Sequence, residues 1–227
     1  MIEKGRLIKK IFDPYFEAPL EIWESFAKFL KHKSYKKNEI IKDTNQKEKY
    51  LNIITKGASG IFLWKENSTI CLDLCYENEF FGDYMSFLTR KPTELFTQAI
   101  EETELLSISY SDLDKLYKGS DIGLNIGRIA SESLFIHKQT QQIDLLMLTA
   151  EQRYLKLLKR HPKTVQRTPQ KHIASYLGIT PESFSRIRKK ITLEVLWNQL
   201  IYKKYQKNLK INKEKIIDDL KKNDKQS

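Results

Sequence analysis

Glu182, Ser185 and Arg186 are spaced by three residues and then one, which on a helix brings all three to one face. That trio suits the reading of base edges in a DNA groove. A carboxylate accepts from a cytosine amino group, a hydroxyl bonds or touches a base edge, and a guanidinium pairs in bidentate fashion with guanine. Arg188, Lys189 and Lys190 follow with charge suited to phosphates, contacts that position a protein on a duplex without reading its sequence. With Thr180 and Ser183 they complete the residues expected at a DNA surface: Thr180, Glu182, Ser183, Ser185, Arg186, Arg188, Lys189 and Lys190.

Such a face works only if a rigid element presents it, and the segment Thr168 to Ile191 predicts one. Thr168 followed by Pro169, and Thr180 followed by Pro181, read as N-caps with proline at the first helical position. Gly178 falls between the two helices, where a left-handed backbone is reached without strain from a Cβ. Ile173, Ala174 and Leu177 face inward from the first helix, and Phe184, Ile187 and Ile191 from the second. The spacing predicts a helix-turn-helix. An ordinary helical hairpin with a basic surface is the alternative.

Upstream, Ile122, Ile129, Ile136 and Ile143 recur every seven residues, with Ile126, Ser133, Thr140 and Met147 four residues after each. Over Asp121 to Met147 these occupy the d and a positions of a heptad, which predicts a helical dimer seam. A core helix packed on its own barrel would show a similar stripe. Ser133 and Thr140 weaken the seam as a hydrophobic zipper, although small polar residues at a positions can set register or meet a ligand.

Pro19 to His32 reads as a helix, and from about Tyr35 to Ser109 the pattern changes to short β-type runs between turns. The runs are 50–54, 60–64, 70–75 and 105–108, with Gly57, Gly60, Asn67-Ser68 and Asn78-Glu79 at the turns. An antiparallel barrel or jelly-roll is expected. The fold class is therefore α+β: a β-roll over 1–118, a dimerisation helix over 119–149, a helix-turn-helix domain over 150–211 and a basic tail over 212–227. Leu193, Leu196, Trp197, Leu200 and Ile201 predict a further amphipathic helix.

Charge follows the same division. Residues 151–227 hold 20 Lys+Arg and 7 Asp+Glu, a net of +13, which leaves −2 for residues 1–150 of a chain with a net charge of +11. A near-neutral module joined to a basic one suits a nucleic-acid partner. Cys71 and Cys75, the only cysteines, are too few for a disulfide framework or a zinc site. Their even spacing puts them on one face of a strand as small packing residues, with redox sensing as the minor reading. No run approaches the ~18 apolar residues of a membrane span, and the first residues carry no signal-peptide core, so a cytoplasmic location is expected. An enzyme is not expected: a β-roll resembles metal-binding cupins in outline, but there is no His-x-His pair and no nucleophile placed beside a base.

The order of these elements, together with the segment Ile173 to Arg186, resembles the Crp/Fnr superfamily of bacterial regulators, particularly the versions found in Bacteroidetes-like organisms, over about residues 15–191. The resemblance implies a cyclic-nucleotide-binding-type roll, a long dimerisation helix and a DNA-reading helix-turn-helix. Glu182, Ser185 and Arg186 match the E-x-x-S-R pattern of the Fnr-like branch, which implies a half-site related to TTGA. Phe81-Gly82-Asp83 resembles the Phe-Gly-Glu that opens the family's phosphate-binding cassette, so Phe81, Gly82, Asp83, Thr93, Glu94 and Thr140 are the expected effector pocket.

Departures from the family pattern argue against cyclic AMP. Thr93 and Glu94 follow Pro92 where family members that bind it carry an Arg-Ser or Arg-Ala pair, and Asp83 is one methylene shorter than the ribose-binding glutamate. Iron–sulfur sensing lacks its N-terminal cysteines, and four scattered histidines identify no haem ligand, which leaves the cofactor unknown. The expected partners are double-stranded DNA and a second copy of the chain, with RNA polymerase left open as a third and no membrane. The alternative function is an effector-binding signalling module whose basic end meets a protein or RNA. Effector, operator, target genes and the direction of regulation are not fixed by these residues.

Overall fold

Alternating apolar and polar residues give each short run between residues 31 and 109 one face to bury, and in the computed structural model these runs form eight strands. The structure describes residues 2–14, 16–66, 68–119, 121–194 and 197. The strands are β1 (Lys31–Tyr35), β2 (Ile40–Lys42), β3 (Tyr50–Lys56), β4 (Ser59–Lys65), β5 (Ser68–Cys75), β6 (Phe80–Phe81), β7 (Leu95–Ala99) and β8 (Thr103–Ser109). They pair antiparallel in two four-stranded sheets, ordered β1-β8-β3-β6 and β2-β7-β4-β5. Ile54, Cys75, Phe81 and Leu105 form the core between the sheets. The fold class is the mixed α+β roll expected.

Helices cover the first sheet. These are α1 (Ile2–Phe12), α2 (Leu20–Ala27), α3 (Tyr84–Thr89), α4 (Tyr110–Gly119) and α5 (Asp121–Met147). Ile8, Phe12, Trp23 and Phe26 pack with Ile108, Leu113 and Ile126 in a second core. Trp23 is fully buried, and its indole N–H donates to the Ala18 carbonyl at 3.1 Å, so the largest apolar side chain there leaves no orphaned donor. Beyond α5 come α6 (Ala150–Arg160), α7 (Thr164–Arg167), α8 (Gln170–Tyr176) and α9 (181–194).

Three expectations are corrected. The helix read over Pro19 to His32 ends at Ala27, because Lys31 and His32 pair with Ser107 and Leu106 of β8. The even spacing of Cys71 and Cys75 does not relate their faces, because Ile61 pairs with Asp73 and Phe62 with Cys71, which leaves Leu72 as a bulge. Both thiols are buried, and burial pushes both up, away from reactivity. Thr168 does not cap α8: its hydroxyl meets the Tyr76 hydroxyl at 2.8 Å, while the Pro169 carbonyl takes the first helical bonds.

The chain forms two compact units, Met1–Pro181 and Glu182–Ser227. In the second, residues 182–194 and 197 are helical. Of the amphipathic helix expected from Leu193, only Leu193 and Trp197 are described, both exposed, and the tail from Asn212 lies outside the described residues. Among the described residues no helix is long and apolar enough to cross a membrane.

Candidate functional site

The end of α8 is fixed by two hydrogen bonds, Ile179 N–H to the Ala174 carbonyl at 3.0 Å and Gly178 N–H to the Ser175 carbonyl at 2.9 Å. This pair is a Schellman stop, and it requires the left-handed φ of +68° that Gly178 adopts. Arg153 on α6 reinforces the stop by donating to the Leu177 carbonyl at 2.6 Å and to carbonyls at the end of α5. The chain turns, and α9 begins at Pro181 as Thr180-Pro181 predicts.

Along α9, Phe184 is fully buried, and Ile187 and Ile191 are partly buried. Glu182, Ser185, Arg186 and Lys189 are exposed along one face, and Lys190 is exposed beside them. Ser183 and Arg188 are half-buried on its flanks, with Ser183 Oγ 3.4 Å from the Arg186 guanidinium, and Thr180 is exposed just ahead of the helix. Of the expected groups, Glu182, Ser185, Arg186, Lys189 and Lys190 are therefore accessible on the helix, whereas Ser183 and Arg188 flank that face and Thr180 precedes it.

Helices α6 to α8 are tied to the roll by polar contacts that the sequence reading missed. Arg167 donates to both Glu77 carboxylate oxygens at 2.9 and 2.6 Å and also reaches Glu101, so one guanidinium joins two turns of the roll. Ser175 on α8 accepts from the Cys71 N–H at 2.8 Å. Gln141 on α5 bonds Asp73 at 3.0 Å and the Tyr176 hydroxyl at 3.4 Å.

His172 lies on the Phe62 ring at 4.8 Å between centroids. Burial, with Lys171 adding repulsion, lowers its pKa from 6.5 to about 4. A histidine held neutral in the fold contributes stability that is fully present above the unfolded value of 6.5 and is lost as pH falls towards 4. Acidification from pH 7 to 5 should therefore lower the melting temperature of the wild type more than that of His172→Gln. Equal losses in the two proteins would show that His172 is not responsible.

The residues expected to form an effector pocket are only partly brought together. Phe81, Gly82 and Asp83 line a cleft of about 670 Å³ between the roll and α5. Gly82 has a φ of +136°, so the cassette turn itself favours glycine. Asp83 is fully buried and engaged on every side: it caps α3 by accepting from the Ser86 N–H at 3.0 Å, accepts from Lys42 Nζ at 2.8 Å and bonds the Thr93 hydroxyl. Lys42 also donates to Thr93 Oγ1 at 2.8 Å and to the Leu95 carbonyl at 2.6 Å. Lys42 from β2 is thus committed to Asp83, Thr93 and Leu95 and does not line the cleft. Lys42 was absent from the sequence reading, and its one signal was a lone cation ending the apolar run Ile40-Ile41.

Glu94 is exposed and does not line the cleft, and Thr140, exposed on α5, opens instead onto a hollow bordered by α6 and Tyr176. On the expected seam, Ile136, Ile143 and Met147 are 64%, 50% and 77% exposed, and Thr140 is exposed between them. Ile129 and Ser133 are partly buried, and Ile126 is buried in the chain's own core. The solvent-facing stripe therefore runs along the second half of the helix. The side chain of Ile122 lies outside the described residues.

Residues 32–120 match the family model of the cyclic nucleotide-binding domain. The fold is similar to that of FixK2 from Bradyrhizobium japonicum, 18% identical, over 73% of this chain and 85% of that one, with a TM-score of 0.61. It is similar to the c-di-GMP responsive global regulator CLP of Xanthomonas campestris, 19% identical, over 78% and 94% of the chains, with a TM-score of 0.58. It is also similar to the catabolite activator protein of Thermus thermophilus, 19% identical, over 81% and 87%, with a TM-score of 0.51. None of the curated proteins matches the chain in sequence. The domain match and these structures bear out the resemblance to the Crp/Fnr superfamily at the level of a shared domain and a shared fold.

Proposed function

We propose that the chain is a dimeric, sequence-specific DNA-binding transcriptional regulator of the Crp/Fnr type that does not respond to cyclic AMP. The single observation that carries this reading is α9, which follows a glycine turn and exposes Glu182, Ser185, Arg186 and Lys189 on one face. The net charge of +13 over residues 151–227 supplies the sequence-independent attraction to a duplex. Its partners are double-stranded DNA and a second copy of the chain, with RNA polymerase as the partner through which an activator would act. Exposed Ile136, Ile143 and Met147 support the dimer, and Thr93-Glu94 after Pro92, with no arginine among the described residues lining the cleft, support the lack of response to cyclic AMP.

Two substitutions on α9 test the reading role. Arg186→Ala should cost about 1–3 kcal/mol per half-site on the preferred duplex and relax discrimination at one guanine. Lys189→Ala should weaken preferred and scrambled duplexes equally and reduce the salt slope by about one per contact removed. Titrations at several salt concentrations separate the two. If Arg186→Ala weakens scrambled DNA as much as the preferred site, Arg186 does not read a base.

A further inference from the structure

The cleft beside α5 has a mainly apolar lining. Four large apolar side chains that are exposed in the chain, Leu72 (46%), Met85 (58%), Leu88 (48%) and Phe135 (69%), line this one cleft. Its volume of about 670 Å³ falls within the roughly 300–1,000 Å³ of small-molecule sites. Two carboxylates, Asp73 and Asp83, lie on its walls, and each is matched by one lysine, Lys138 and Lys42 respectively. Burial alone would raise the Asp73 carboxyl, yet Lys138, Arg160 and Gln141 hold it below its ordinary value, which keeps the Asp73–Lys138 pair charged at neutral pH. Among the described residues lining the cleft no arginine occurs, and the one lysine already serves Asp73. Both carboxylates are buried and already paired, so an anion entering would have to take Lys138 from Asp73, and a cation would have to displace a lysine.

We infer that this cleft binds an uncharged, predominantly apolar small molecule. Such a ligand covers the exposed leucines, Met85 and Phe135 and leaves both ion pairs intact. Leu72 and Asp73 form the β5 bulge, whose neighbour Cys71 is bonded to Ser175 of α8, and Gln141 bonds both Asp73 and Tyr176 of α8. An occupant therefore bears on the strand and the side chain that hold the first helix of the helix-turn-helix. Only this consequence rests on the DNA-binding reading. Occupancy is measured without DNA, so the two ideas fail separately.

The test titrates the full chain with N-phenyl-1-naphthylamine, an uncharged probe that fluoresces in apolar surroundings. Saturable binding at one probe per chain is expected, with displacement by 1-decanol at a concentration at least tenfold lower than by decanoate at pH 7.5. Leu88→Trp, which fills the cleft, and Phe135→Asp, which charges its rim, should each weaken the probe at least tenfold. Both positions are exposed, and unchanged melting temperatures would confirm that the variants are folded. Absence of saturable binding, equal displacement by decanol and decanoate, or unchanged affinity in the folded variants would each overturn the inference.

Discussion

The double variant Ile136→Asp/Ile143→Asp is expected to be a folded monomer that has lost about 100-fold or more of its affinity for an inverted-repeat site. Both side chains are at least half exposed in the single chain, so two carboxylates there cost the fold little. In a dimer they would be buried across the axis from their own copies, four like charges in an apolar seam without partners. Once the subunits separate, each recognition helix binds alone, and the gain from linking two half-site contacts disappears. Ile126 would be the wrong choice for this test, because it lies in the chain's own core and a charge there would unfold the chain. Light scattering reads the mass and duplex titration reads the affinity. A dimeric mass for the double variant would remove the seam from α5.

Lys42→Met should lower stability by about 3–5 kcal/mol, because it leaves the buried Asp83 carboxylate without its cation. For a chain of 227 residues this corresponds to a fall of roughly 10 °C in melting temperature. Lys42→Met combined with Asp83→Asn should recover most of the loss, since asparagine still caps α3 while carrying no charge. Such recovery is the signature of a coupled pair in a double-mutant cycle. Additive losses would mean that Lys42 and Asp83 act independently.

Elements whose signals are local were legible in the sequence. The heptad from Asp121 to Met147 matches the bounds of α5, and Gly178 has the left-handed backbone that its place between two inward-facing runs requires. Cooperative helix patterns and turn chemistry depend on neighbours a few residues away, which one chain displays directly.

What was not legible depends on residues distant in sequence. Lys42 and Asp83 are 41 residues apart, and nothing in either neighbourhood shows that they meet. Thr168 carries every local mark of an N-cap, yet its hydroxyl is taken by Tyr76, 92 residues away. The bulge at Leu72 is set by pairing with β4, and it ended the alternation on which the cysteine reading relied. α1 is a different case, because Ile8, Ile11 and Phe12 show helical spacing and the signal was present but unread. At the candidate site the same division holds. The groups on α9 follow from spacing within one helix, whereas the composition of the cleft is set by five strands and two helices that converge from across the chain.

Selection from a random duplex library, read by sequencing, tests DNA reading most directly. The full chain should enrich an inverted repeat whose half-site centres lie about one helical turn, roughly 34 Å, apart, and Arg186→Ala should lose the preference at one guanine in each half-site. Recovery of unenriched sequence by the wild-type protein, at salt low enough for duplex to be retained, would contradict a reading role for α9 and leave the basic domain free to serve a protein or RNA.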